Sequence, residues 1–247
     1  MEPRFVGRLG LADGITIVNA AFGFLATIAA PTNPGLAARL ILLAAITDGL
    51  DGVCARAYGH TPVGDVLDSL ADVVSFGVAP ALLVFYVARP ATGLALSPGF
   101  VLALSVSAAF LAMAVVRLGL YTTDDLDVAH TEGVQTTLAA TLLGAAYLAG
   151  ARGTLVLLAS TGVLAYLMVT RLTYPDLRAR DALVMGIVQA LAVAIPTAFG
   201  RLFPRALFVA ACCYLVLGPR LYRRESSETP GSPSEGTTRA SLSSEGR

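Results

Sequence analysis

From residue 14 to residue 219 the chain is a succession of eight apolar stretches of roughly twenty residues, separated by short breaks that carry proline, arginine or acidic residues. Stretches of that length match the hydrocarbon core of a bilayer, about 30 Å thick at ~1.5 Å of helix rise per residue. No water is available there to satisfy a backbone N–H or C=O, so each stretch must close its own hydrogen bonds as a helix. The expected fold is therefore all-α, a polytopic membrane bundle of about eight transmembrane helices, with six to eight compatible with the pattern. The spans fall near 14–30, 36–58, 65–88, 97–119, 134–150, 153–170, 182–199 and 204–219. Pro31, Pro34, Pro62, Pro90, Pro98, Pro175 and Pro204 stand at or near their ends, where a missing N–H does least harm.

Composition agrees: 55% of residues are hydrophobic, 14% are charged, and the formal net charge is zero. A nucleic-acid-binding surface is excluded on that balance, and the membrane is the partner the chain is made for. Lysine and tryptophan are absent, so an interfacial aromatic belt must rely on the eight tyrosines. Cys54, Cys212 and Cys213 lie in apolar runs without metal-ligand spacing and read as packing residues. The first apolar run follows Glu2 and Asp13 without a convincing cleavage site, and reads as a membrane helix rather than a signal peptide.

With eight spans both termini share a side. Twelve of the seventeen arginines fall on that side and five, Arg39, Arg89, Arg152, Arg201 and Arg205, on the other. The excess assigns the termini to the cytoplasm of a multi-pass protein of the cell membrane. Residues 1–224 form one membrane-embedded domain, while 225–247, rich in Ser, Glu, Gly, Thr and Pro, form a polar tail expected to be disordered.

Five of the seventeen acids crowd into residues 48–72. A carboxylate at the centre of a bilayer costs about 2.5–3.5 kcal/mol on insertion scales, so such a cluster needs a compensating cation or a wet cavity. At 100° per residue Asp48 and Asp51 lie on one helix face with Gly52, Ala55 and Arg56. Gly59, Pro62 and Gly64 then mark a turn, and Asp68 and Asp72, four apart, share a face of the next helix. Two antiparallel helices can thus point four carboxylates into one pocket, tolerable if divalent cations neutralise them. All-oxygen ligation favours Mg²⁺ or Mn²⁺. Gly52 and Ala55 leave room for a ligand against the backbone, and Arg56 offers a fork to phosphate. A solvated loop with incidental charges does not explain this order, and a divalent-cation transporter, the alternative of another class, does not explain the Gly, Ala and Arg positions.

The order Asp48-x2-Asp51-Gly52-x2-Ala55-Arg56, a short gap, then Gly64-x3-Asp68-x3-Asp72 resembles the signature of the CDP-alcohol phosphotransferases at all eight of its fixed positions. The resemblance implies a binuclear Mg²⁺ or Mn²⁺ site with Asp48, Asp51 and Asp68 as ligands and Asp72 beside the metals as the base for the acceptor hydroxyl. It also implies contacts from Gly52, Ala55, Arg56 and Gly64 to the CDP part of the donor, with Thr16 and Asn19 near the nucleotide, and a homodimer. Ala12-Asp13 stand where the family usually has Pro-Asn.

The continuation Asp68-Ser-Leu-Ala-Asp72-Val-Val-Ser75-Phe76-Gly77 and the segment Leu167-Met168-Val169-Thr170-Arg171-Leu172-Thr173-Tyr174-Pro175 resemble the phosphatidylserine synthase branch. That implies L-serine as acceptor and a CDP-lipid as donor, with glycerol 3-phosphate or inositol phosphate as the alternative acceptors. Arg117 occupies the place of the first Arg of that branch's Arg-Leu-Ala-Arg-Phe-Asn stretch, although Leu120 and Thr122 depart from the rest. Arg117 and Ser75 are the candidate acceptor-side residues, and Gln135 and Thr136 are placed to face the cavity. His60 and His130 read as exposed loop residues. The lysine-free, alanine-rich composition resembles that of halophilic archaea, which implies CDP-archaeol as donor, against CDP-diacylglycerol in a bacterium.

Overall fold

The computed structural model describes residues 9–59, 61–89, 97–124, 131–174 and 179–228. Nine α-helices and one π-helical turn build eight rods, one for each apolar stretch. They are α1 (Leu11–Ala29), α2 (Pro34–Tyr58), a continuous rod of α3 (Gly64–Asp72), a π-helical turn (Val73–Val78) and α4 (Ala79–Ala88), then α5 (Pro98–Asp124), α6 (Thr136–Ala149), α7 (Thr154–Met168), α8 (Ala179–Ala194) and α9 (Ala198–Glu228). The fold is the expected all-α membrane bundle.

Four rods, Leu11–Ala29, Gly64–Ala88, Pro98–Leu120 and Ala198–Pro219, are long and apolar enough to cross a membrane. The other four differ from the full-length spans expected. α2 has 25 residues but is interrupted by Arg39, Asp48, Asp51 and Arg56, while α6, α7 and α8 have 14, 15 and 16 residues. At ~1.5 Å per residue the last three reach roughly 21–24 Å, short of the hydrocarbon thickness. α9 carries a left-handed kink at Phe199, Gly200 and Arg201 and continues to Glu228. The remainder of the polar tail, His60, His130 and Pro175 lie outside the described residues.

Local chemistry sets the breaks. Asn33 caps α2, its Oδ1 accepting from Leu36 N at 3.0 Å ahead of Pro34 in the first turn. α2 ends at Tyr58, and α3 restarts the chain at Gly64 in the reverse direction. The π-helical turn directly precedes Pro80, whose ring and missing N–H disfavour an unbroken α-helical ladder.

Alanines pave the contact between the first two helices. Ala26, Ala30, Ala37 and Ala38 are fully buried in a core shared with Ile41, Leu42, Phe76, Leu83 and Leu207. Side chains this small let backbones approach closely, the usual source of helix association where lipid removes the hydrophobic drive. Gly23 is the extreme case, because a Cβ there would sit 2.6 Å from Ser75 Cα. The second core, around Phe110, Val134, Leu143, Leu158 and Met168, joins α4 to α7 and α9.

Candidate active site

α1 and α2 meet the α3 rod at the end of the bundle where α2 stops. Thr16 and Asn19, both buried on the inner face of α1, are the polar residues that α1 turns towards the acids. Thr16 Oγ1 donates to Asp51 Oδ2 at 2.9 Å and Asn19 Nδ2 donates to Asp72 Oδ1 at 3.3 Å. One α1 face thus holds two of the four aspartates, one from each of the neighbouring helices.

The four carboxylates do not share one pocket. Two cavities adjoin, and Asp68 lines both. The first, about 90 Å³, lies between α1, the end of α2 and the start of α3, walled by Thr16, Asp51, Gly52, Ala55, Gly64 and Asp68. The second, about 130 Å³, is walled by Asp48, Asp68, Asp72, Arg117, Gln135 and Thr136, with Ser69, Leu118 and Thr137 beside them. The separation has a plain cause. Asp48 and Asp51 diverge by about 60° around α2, enough for one to face α6 and the other α1.

Asp48, Asp68 and Asp72 each bring a carboxylate oxygen within 4.8 Å of the other two. Asp68 Oδ1 is buried without a hydrogen-bond partner. Three converging hard oxygen donors, one of them orphaned, fit a divalent cation of the Mg²⁺ or Mn²⁺ kind. Asp51 stands across the Asp68 wall from this group, its carboxylate oriented by Thr16.

The first cavity, at about 90 Å³, is smaller than the few hundred cubic ångströms of an ordinary ligand pocket and opens at a rim. Exposed Arg56 belongs to that rim, its Nη1 lying 3.6 Å from where a Cβ on Gly52 would stand. Asp13 fastens the rim. It accepts from Gly10 N at 2.7 Å and from Thr61 Oγ1 at 2.9 Å, tying the start of α1 to the α2–α3 turn.

The entry to α6 forms the far wall of the second cavity. Gln135 and Thr136 line it as expected, and Thr137 donates to Asp48 Oδ2 at 3.3 Å. Their position depends on a two-residue antiparallel ladder, β1 (Thr131–Glu132) with β2 (Thr173–Tyr174), and on Gly133 N donating to Leu172 O at 2.8 Å. Gly133 has φ of +75°, and a Cβ there would collide with the Met168 carbonyl. The Leu167–Tyr174 segment therefore props the α6 entry from behind rather than lining the cavity. Burial pushes the Tyr174 phenol above its ordinary pKa, and its OH donates to Leu215 O at 3.3 Å, fastening this ladder to α9.

Arg117 is buried on α5 in the wall of the second cavity. Ser75 is not at either cavity. It is fully buried in the π-helical turn, its hydroxyl donating to Asn19 O at 2.9 Å. Its observed position supports Asn19 rather than a bound acceptor. Thr137 and the Asp13–Thr61 tie were not legible as site features, since a Thr at a helix start and an Asp ahead of a span are both common. The three cysteines are free, and Asp124 and its loop neighbours carry no described side chains.

The profile of the CDP-alcohol phosphatidyltransferases matches residues 9–173, which takes in α1 through α7 and both cavities. The chain belongs to the CDP-alcohol phosphatidyltransferase family. Among its relatives within the family are an archaetidylserine synthase of Methanothermobacter thermautotrophicus, 36% identical over 88 residues, and a CDP-diacylglycerol–serine O-phosphatidyltransferase of Mycobacterium leprae, 40% identical over 84 residues. The matches cover 34% and 33% of this chain and 38% and 28% of those proteins. A Saccharomyces cerevisiae CDP-diacylglycerol–serine O-phosphatidyltransferase is 40% identical over 87 residues, 32% of each chain. The shared stretches thus span less than two-fifths of these curated relatives. α8 and α9 of this chain lie beyond the family match.

Proposed function

We propose that the protein transfers a phosphatidyl or archaetidyl group from a CDP-activated lipid to the hydroxyl of L-serine, releasing CMP. The observation that carries this reading is the pair of adjoining cavities with Asp68 in their common wall. A two-substrate transfer needs a donor and an acceptor side by side, and a carboxylate group common to both.

On this reading the donor pyrophosphate lies in the α1–α2 cavity against Gly52, Ala55 and Gly64, whose missing or minimal side chains let it approach the backbone. Arg56 reaches over the rim to the nucleotide. Asp48, Asp51, Asp68 and Asp72 would hold Mg²⁺ or Mn²⁺, which supplies charge stabilisation to the pyrophosphate as CMP leaves. Serine occupies the second cavity, its carboxylate towards Arg117 and its hydroxyl towards Asp72. Asp72 takes the hydroxyl proton while the oxygen attacks the lipid-bearing phosphorus. A new P–O bond forms, the bond to the CMP phosphate breaks, and its electron pair leaves on CMP. Asn19 holds the Asp72 carboxylate in position through that transfer. The names of the curated relatives favour serine over glycerol 3-phosphate or inositol phosphate. The arginine distribution supports a site that opens to the cytoplasm.

The test is an acceptor panel. Purified protein with CDP-lipid and Mn²⁺ or Mg²⁺ should release CMP with serine and not with glycerol 3-phosphate or inositol 1-phosphate. Release with another acceptor would overturn the choice of serine. Cation flux without CMP release would replace an enzyme with a transporter.

A further inference from the structure

The largest of the three cavities described here is at the other end of the bundle. About 370 Å³ in volume, it is walled by Asn33, Pro34 and Gly35 at the start of α2, and by Arg39, Arg152 and Arg201. Asp48 lies fifteen residues along α2 from Asn33, on the order of 20 Å away. We propose that this cavity is a second site, which binds the phosphate of an anionic lipid headgroup and is separate from the catalytic centre.

Charge is the first argument. The sequence has no Asp or Glu in 14–47, 73–123, 133–175 or 182–224, so every segment that reaches this end is free of acid. Three guanidinium groups therefore converge on one cavity with no carboxylate to neutralise them, and none of them has an ion pair among the described residues. At a membrane the available counter-charge is a lipid phosphate, to which arginine presents a paired N–H fork. The start of α2 adds the positive end of a 25-residue helix.

The guanidinium groups are also held in place. Arg39 Nε donates to Val193 O at 2.7 Å, at the end of α8. Arg152 lies over the Tyr147 ring, 5.3 Å from its centroid and inside the reach of about 6 Å for a cation–π contact. Arg201 comes from a left-handed turn, Phe199–Gly200–Arg201 with φ of 48°, 65° and 68°, that a phenylalanine and an arginine adopt only at a cost. Gly150 makes room for it: at φ of +105° it caps α6, and a Cβ there would stand 2.7 Å from Arg201 Nη1.

A lipid is favoured over free phosphate by what surrounds the mouth. Leu36, in the cavity wall, is 41% exposed, and Ile195, Phe199 and Leu202, chain neighbours of the wall residues Pro196 and Arg201, are 42%, 81% and 52% exposed. Apolar side chains flanking a basic cavity suit a headgroup with its acyl chains attached, and give a soluble anion nothing.

The experiment uses the full chain in phosphatidylcholine-compatible detergent and native mass spectrometry. Phosphatidylglycerol and phosphatidylcholine of the same acyl length are offered in equal amounts, and inorganic phosphate is offered alone in a separate arm. One phosphatidylglycerol should be retained per chain in preference to phosphatidylcholine. Its retention should fall at least about tenfold in the Arg152→Gln, Arg201→Gln double variant, which removes two of the three guanidinium groups of the cavity. CMP release in phosphatidylcholine micelles should be unchanged in that variant. Equal retention of the two lipids by the unaltered protein would overturn the site, whatever the variant's folding. Equal retention of phosphatidylglycerol by the folded double variant would do the same. Inorganic phosphate bound as tightly as the lipid would overturn the lipid assignment.

Discussion

Asn19, on the first helix, donates a hydrogen bond at 3.3 Å to the carboxylate of Asp72, on the third rod, and is itself fixed by Ser75, whose hydroxyl donates to its backbone carbonyl at 2.9 Å. The proposed base is thereby held by a helix that contributes none of the four motif aspartates. Asn19→Ala should lower kcat by about 10–100-fold, the usual effect of removing a partner that orients an acting carboxylate. KM for serine should change little, and Asn19→Gln should not restore the rate, because the longer amide misses the same oxygen. Steady-state CMP release measures both; an unchanged kcat would remove Asn19 from the account.

Thr16 plays the matching part for Asp51. Thr16→Val keeps the shape and deletes the donor, so apparent affinity for the CDP-lipid and for Mn²⁺ should weaken by about tenfold. Thr16→Ser should stay near the unaltered protein. Titration of both ligands in the two variants separates the hydroxyl's role from packing.

Carboxylates packed as closely as Asp48, Asp68 and Asp72 repel until a cation joins them. Chelation should abolish CMP release and lower the unfolding temperature, and added Mn²⁺ should recover both. A ligand at about 100 times its Kd stabilises by about 2.7 kcal/mol, several degrees in a chain of this size. Asp68→Asn should lose most of that recovery, which differential scanning calorimetry with and without Mn²⁺ would show.

The order of the eight acidic-motif positions was legible in the sequence because spacing on a helix fixes a face, and α2 and α3 do present those faces. The division into two cavities was not, since it depends on α1 and α6 packing against neighbouring faces of α2, a relation between segments more than a hundred residues apart. The apolar stretches revealed eight rods, but their windows do not reveal that α6, α7 and α8 end short of a bilayer's thickness. Ser75 illustrates the limit of motif wording. Beside Asp72 in the sequence, it is turned by the π-helical register towards α1, away from the acids.

Gly23 carries the approach that makes those α1 contacts reachable. A Cβ there would lie 2.8 Å from Ser75 N, a backbone atom that cannot swing aside. Gly23→Ala should destabilise by about 1–3 kcal/mol, the range for overpacking a close contact, and lower kcat by displacing Asn19. Thermal unfolding with parallel activity assays checks the pairing; an equally stable, fully active variant would show that α1 can shift freely.

The central claim is that Asp72 and the two adjoining cavities join a CDP-lipid to serine. The most direct measurement is mass spectrometry of the lipid formed from CDP-lipid and isotope-labelled L-serine, with unaltered protein and with Asp72→Asn. The account predicts a labelled serine phospholipid, formed in step with CMP, and a loss of at least about a hundredfold in the variant. CMP without labelled lipid, or labelled lipid formed equally well by Asp72→Asn, would contradict it.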